Sequence, residues 1–363
     1  MNADFILAIG ELGREKGIDP ELLFQAVEEA LVTAYKKNFG SNQNVRVDMN
    51  KETGELHVYA QRHIVEEVGD DPNEISLEEA RKIDPRYEVD DIVETEVTPR
   101  NFGRIAAQNA KQVVVQRIRE AERGMVFEKF SSRENDIVTG IIQRMENKNV
   151  YIDLGKAEAI LTPNEQIPGE IYQYHDRMKT YIVEVKKTSK GPQIMVSRTH
   201  PGLLKRLFEL EVPEIHDGLV EIKSVAREPG MRSKISVYTK DENIDPVGAC
   251  VGHKGMRVQT IVNELRGEKI DIVKYSAEPD QYVANALSPA KVVSTEVLEE
   301  EKICRVIVPD YQLSLAIGKE GQNARLAAKL TGWKIDIKSE SQAAEEAEQG
   351  AQEAGAAYEA DED

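Results

Sequence analysis

The sequence predicts an α+β multidomain chain: a mixed α/β N-terminal unit, a small five-stranded β-barrel, two tandem α+β repeats and a disordered acidic tail. Three observations predict it. A chain of 363 residues exceeds what one compact core supports, so it divides into several units. Five short β-type runs crowd into residues 135–198. A loop, helix, glycine and strand then occur twice in the same order.

With 40% hydrophobic and 31% charged residues, the chain reads as globular rather than membrane-embedded or wholly disordered. No apolar run approaches the roughly 18 residues of a membrane helix. Residues 1–13 include Asp4 and Glu11 and lack a basic leader, which argues against a signal peptide and for a cytoplasmic location. Cys250 and Cys304 each lie in an apolar run, with no second cysteine or histidine at ligand spacing. Two buried thiols are therefore expected, with no disulfide, metal or cofactor. The formal charge of −18 weighs against nucleic acid until it is located. Residues 339–363 hold nine acids and no Lys or Arg, leaving −9 for the rest, and residues 66–96 hold 13 acids against 3 bases. What remains is near neutral, with basic clusters.

The first unit, 1–124, opens with helices over 5–16 and 20–39. Leu23, Ala26, Val27, Ala30, Leu31 and Ala34 recur at helical spacing, and Asp19-Pro20 supplies a cap and a proline at the first helical position. Strands at 45–49 and 55–60 flank the turn Lys51-Glu52-Thr53-Gly54. A short helix at 77–83 and a strand at 92–97 lead to a long helix over 102–123. Arg100, Arg104, Lys111, Arg117, Arg119 and Arg123 there oppose only Glu120 and Glu122, while Ile105, Ala106, Val113, Val114 and Ile118 offer a packing side. An acidic middle and a basic end suit a docking module with two partners.

Strands at 137–144, 150–154, 157–161, 180–186 and 193–197, separated by tight turns, make an OB-type barrel the leading reading of 131–199. Its last hairpin is basic. Between 176 and 206 eight Lys or Arg stand against Asp176 and Glu184, and Lys187 and Arg198 among them are candidate nucleic-acid contacts.

The repeat carries the most chemistry. Val251-Gly252-His253-Lys254-Gly255 is followed by a helical run to Leu265, then Gly267 and Lys269-Ile270-Asp271-Ile272. It recurs as Ile317-Gly318-Lys319-Glu320-Gly321, a run to Leu330, then Gly332 and Lys334-Ile335-Asp336-Ile337. β-type sequence at 220–225 and 234–238 precedes the first copy and at 304–308 the second, giving units 201–276 and 277–339. A Gly-x-x-Gly turn between helices brings backbone N–H groups and a helix N-terminus to the surface, and its missing Cβ atoms let a sugar-phosphate chain lie close. Lys254 and Lys319 add charge, and the apolar run after each loop walls a groove for unstacked bases, so the expected ligand is single-stranded. Arg257 and Arg325 in those runs join the candidates. The arrangement resembles the KH RNA-binding domain, in its bacterial order. The plainer alternative is a turn needed only for backbone geometry, which leaves the exposed lysines unexplained. Asp271 and Asp336 fall on the outer face of their strands and read as structural.

Four stretches are similar to the NusA family of bacterial transcription elongation factors: 92–107 (IVETEVTPRNFGRIAA), 197–215 (SRTHPGLLKRLFELEVPEI), 263–273 (NELRGEKIDIV) and 308–339 (VPDYQLSLAIGKEGQNARLAAKLTGWKIDIKS). The resemblance covers nearly the whole chain up to Ser339. It implies that 1–124 docks on RNA polymerase near the RNA exit channel, while an S-one-type barrel and two KH units hold nascent single-stranded RNA. Pausing, intrinsic termination and antitermination follow, together with other factors of those complexes and a monomeric state. It also implies that Gly252, His253, Lys254, Gly255, Gly318, Lys319 and Gly321 contact RNA, with Glu320 weakening the second loop. Arg104 and Lys111 match positions facing RNA that leaves the polymerase; a solvated helix face is the alternative. The tail, 340–363, stands where some members carry further acidic repeats. No catalytic motif is present, so an enzyme is not expected. A translation-associated RNA-binding protein is the runner-up, distinguished by whether 1–124 binds polymerase.

Overall fold

The computed structural model describes residues 3–40, 42–70, 72–346 and 348–349. The chain forms two compact units, 1–128 and 129–363.

The first unit contains α1 (Ala3–Lys16), α2 (Pro20–Phe39), β1 (Asn44–Met49), β2 (Leu56–Val65), β3 (Glu74–Ser76), α3 (Leu77–Ile83), β4 (Ile92–Glu96) and most of α4 (Phe102–Ser131). Helix α2 starts as its sequence predicts: the Asp19 side chain accepts from the Glu21 N–H at 2.9 Å, with Pro20 at the first position. Its stripe of Leu23, Val27 and Leu31 meets Phe102, Ala106, Ala110, Val114 and Ile118 of α4 in one core that also takes Val45, Val47 and Met49 of β1. The acidic middle keeps a small core of its own, Ile64, Ile75, Ala80 and Val93, with its carboxylates turned outward. Helix α4 outruns the expected 102–123. Gly124 invites a stop there, but it stays inside the helix, and Phe130, in the helix's final turn, is buried.

The second unit begins with β5 (Ile137–Glu146), β6 (Asn149–Asp153), β7 (Glu158–Leu161), β8 (Arg177–Thr188) and β9 (Gly191–Ser197). They close into a barrel in the order β5-β6-β7-β9-β8, in which β7 and β9 run parallel. Gly140 is needed there, since a Cβ would meet Ile152 at 2.4 Å and the Asp153 carbonyl at 2.7 Å.

The first repeat comprises α5 (Pro201–Glu211), α6 (Pro213–His216), β10 (Glu221–Glu228), β11 (Arg232–Tyr238), α7 (Pro246–Val251), α8 (Met256–Glu264) and β12 (Lys269–Lys274). The second comprises α9 (Pro279–Ala286), β13 (Ser294–Leu298), β14 (Ile303–Val308), α10 (Leu313–Ile317), α11 (Gln322–Thr331) and β15 (Lys334–Ser339). Both sheets have an antiparallel pair followed by a parallel one, β10-β11-β12 and β13-β14-β15. Strand β13 escapes the sequence reading because Ser294, Thr295 and Glu296 break its apolar run.

Two expectations need correction. Asp271 is not on an open face: Arg232 donates to it at 2.8 Å and the fully buried Lys234 at 2.9 Å, and Lys234 also reaches the Ser288 carbonyl at 2.8 Å. The second repeat covers that face of the first sheet, with Ala226 and Val273 entering its core. The tail, expected to be disordered from 340, is helical over 340–346. Ser339 caps it by accepting from the Gln342 N–H at 3.3 Å, the Ser341 hydroxyl donates to Asp310 at 2.6 Å, and Lys338 pairs with Glu346. The remainder of the predicted tail, 350–363 and residue 347, lies outside the described residues. Among those described, no helix is long and apolar enough to cross a membrane.

Candidate nucleic-acid interface

The two Gly-x-x-Gly turns have the same backbone to within a few degrees. Gly252 and Gly318 sit at φ 73°, ψ 177° and φ 77°, ψ 171°. Lys254 and Glu320 follow at φ 51°, ψ 28° and φ 53°, ψ 28°, and Gly255 and Gly321 at φ 75°, ψ 13° and φ 75°, ψ 12°. The extended ψ at φ near 75° is open only to glycine, so the first glycine of each turn is dictated by backbone geometry. Each also sits on a support. A Cβ at Gly252 would meet Arg257 Cγ at 2.6 Å, and one at Gly318 would meet the Asn323 backbone N at 2.8 Å. The second glycines face open space, with no Cβ contact closer than 3.9 Å. Each turn thus feeds a helix N-terminus, α8 or α11, whose first N–H groups have no partner within the helix and attract anions.

The side chains differ where the backbones agree. The displacement that carries Gly252 to Gly318 carries His253 to Lys319 and Lys254 to Glu320, so the two loop lysines are not repeats of each other. All four side chains are exposed. The first loop therefore offers Lys254 as a cation beside His253, while in the second Glu320 cancels Lys319.

The arginines after the loops act from behind. Arg257 donates to the Ala249 carbonyl at 2.6 Å and to Glu214 at 2.9 Å, which holds its stem beneath Gly252. Asn323, at the matching place, donates to the Leu287 and Ala316 carbonyls, each at 3.0 Å, while its own Oδ1 is buried without a partner. Arg325 donates to Glu228 at 2.7 Å and to the Glu320 carbonyl at 3.1 Å, tying the second loop to strand β10 of the first repeat. Glu228 also accepts from Gln322 at 2.8 Å, and the Arg325 guanidinium holds its carboxyl below the usual range.

Arg198 overturns an expectation. Its side chain is only 1% exposed, and it bonds Glu170 (itself 2% exposed), the Lys179 and Glu264 carbonyls, and the Glu264 carboxylate. It is an internal strut between barrel and first repeat, not a surface cation. Nearby, Arg227 clamps the buried Glu268, which also takes hydrogen bonds from Ser233 and the Gly230 N–H. Lys187 is exposed on β8; its neighbour Lys186 pairs with Glu184, and Lys179, near the other end of the strand, pairs with Glu264. The barrel's Tyr151 is occupied as well: Arg144 lies 4.0 Å over its ring and is held by Glu158. In the first unit, Arg104 and Lys111 are exposed on α4, two turns apart, with no ion pair among the described residues.

One exposed side chain at the interface escaped the sequence reading. Tyr311, 82% exposed, precedes the second loop; its signal was an aromatic residue just before a Gly-x-x-Gly helix. Among the described residues, no group of three or more His, Cys, Asp or Glu could hold a metal ion.

Four family models match the chain in sequence order: the NusA N-terminal domain over residues 4–124, the S1 RNA binding domain over 131–197, the NusA-like first KH domain over 198–275 and the NusA-like second KH domain over 279–345. The transcription termination/antitermination protein NusA of Halalkalibacterium halodurans is 66% identical over 345 residues, 95% of this chain and 90% of that protein. Its namesake in Bacillus subtilis is 65% identical, covering 95% and 93%. The solution structure of the N-terminal domain of NusA from B. subtilis is 56% identical, covers 34% of this chain and 99% of that domain, and has a TM-score of 0.31.

Proposed function

The chain belongs to the NusA family, and from that premise we propose that it is a cytoplasmic, monomeric transcription elongation factor that acts in pausing, intrinsic termination and antitermination. In this reading 1–124 binds RNA polymerase core, and the barrel (131–199) and the KH units (201–276 and 277–339) hold nascent single-stranded RNA among the other factors of those complexes. The role is binding, not catalysis.

One observation carries the RNA half: two turns of matching backbone, each exposing loop side chains at a helix N-terminus. Phosphates fit there because the N–H groups and the partial positive charge of the helix converge on one point. Gly252, His253, Lys254, Gly255, Gly318, Lys319 and Gly321 form the contact surface, with Lys187 on the barrel flank. Arg257 and Arg325 position the loops. Arg104 and Lys111 carry free cations toward RNA near the polymerase.

The test is a purified transcription reaction comparing the full chain with a fragment starting at Ser131, which follows the boundary between the compact units. Longer pauses with the full chain and none with the fragment support the polymerase anchor. If neither changes transcription while both bind RNA, the reading fails and a translation-side role replaces it.

A further inference from the structure

We propose that Tyr311 is a base-stacking platform of the second repeat, receiving an unstacked base of the strand whose phosphates the Gly318–Gly321 turn holds. The proposal rests on the RNA-binding reading above and adds a residue that distinguishes the two repeats.

Tyr311 is 82% exposed, more than the other exposed large hydrophobic side chains described. Its one described hydrogen bond comes from Gln312 to the phenol oxygen at 3.2 Å, and no described ring or cation covers its faces. Tyr311 lies in the 3-10 turn Asp310–Gln312 that leads into α10; Leu315, 47% exposed, follows four residues later within α10, and Gly318 caps that helix, so ring, apolar patch and loop succeed one another along one short helical stretch. Ile317 adds a further exposed apolar side chain at the loop's entrance.

The first repeat is built differently at the matching places. Asp245 stands where the second has Tyr311, and it caps α7 by accepting from the Val247 N–H at 3.1 Å. Ala249 stands where the second has Leu315. The repeat with the free loop cation therefore has no ring, and the repeat with the ring has a loop whose Lys319 is offset by Glu320. Phosphate attraction falls with salt, whereas stacking on an aromatic face is nearly salt-independent and contributes strongly to single-strand binding. The two repeats hold one strand by different forces. The occupant is a nucleobase rather than a protein side chain because ring and phosphate-binding turn stand at the two ends of one short helical stretch, on the order of 10 Å apart along the chain, within the span of a few nucleotides.

The experiment uses the full chain and a short single-stranded RNA, at low and at moderate salt. Tyr311→Ala should weaken binding on the order of tenfold at both salt levels, and Tyr311→Phe should keep the affinity, because stacking needs the ring and not the hydroxyl. Lys254→Ala should show a loss that shrinks as salt rises. RNA carrying 5-iodouridine should photocross-link to Tyr311. Full affinity in Tyr311→Ala with no cross-link at that residue overturns the proposal and leaves the face to a protein partner. Failure of the wild-type chain to bind RNA sinks the RNA-binding reading itself, and the wild-type measurement tells the two failures apart.

Discussion

The first Gly-x-x-Gly loop and the joint between barrel and first repeat both carry basic residues, and the structure uses their cations in opposite ways. Lys254 projects from a glycine-bounded turn into solvent. Arg198 and Arg227 are each 1% exposed and sealed against Glu170 and Glu268, which are equally buried. A guanidinium can be taken from water only when carboxylates and carbonyls satisfy its donors, and here they do. Counting positive residues therefore says little about where RNA lies; what matters is whether each charge already has a partner.

The strongest way to break this comparison is Arg198→Met. It leaves Glu170 buried without its cation, so the second unit should lose about 3–5 kcal/mol in urea unfolding while the folded protein binds RNA as before. Unchanged stability together with weakened RNA binding would return Arg198 to the interface.

Glu320→Lys probes the opposite case. Adding a cation to an exposed turn should leave stability within about 0.5 kcal/mol. RNA affinity should rise severalfold at low salt, with the log–log salt slope steeper by about 0.7. An unaltered slope would mean that the second loop does not meet phosphate.

The joint also responds to pH. His200 caps α5, its Nδ1 accepting from the Gly202 N–H at 3.0 Å while its ring stacks on Tyr181 at 4.5 Å. Burial holds its pKa below the ordinary 6.5, because protonation removes the acceptor and charges a partly enclosed ring. The stabilisation is complete above 6.5 and declines as pH falls through the lower folded value, which gives a modest drop in unfolding free energy on acidification. His200→Asn keeps a capping oxygen and should flatten that part of the profile; an identical profile in wild type and variant would assign the drop to other groups.

The smallest effect expected is from removing 347–363. Several acids leave with the segment, so RNA affinity at low salt should rise roughly twofold through reduced repulsion and converge with wild type at higher salt. Equal affinities at low salt would dismiss that repulsion.

Most of the secondary structure was legible because its signals are local. Asp19-Pro20 marks where α2 starts, alternating apolar residues mark the barrel strands, and the glycine pairs mark both turns. The misses also have local causes. Gly124 resembles a helix end, the polar start of β13 hides a strand, and Tyr311 sits in a stretch read only for its likeness to the NusA family. The candidate site was legible in its loops; behind them, the sequence did not show that Arg257 and Arg325 are already engaged by Glu214, Glu228 and backbone carbonyls.

By itself the sequence determined the order of the units, the tandem repeat and the two turns, since periodicity and glycine's access to positive φ are written in neighbouring residues. Only the tertiary structure decided which cations are free. The partners that neutralise Arg198 lie 28 and 66 positions away, that of Arg227 41 away, and the carbonyl that holds Lys234 54 away. Burial and pairing are properties of residues brought together by folding, so no local pattern distinguishes a strut from a contact.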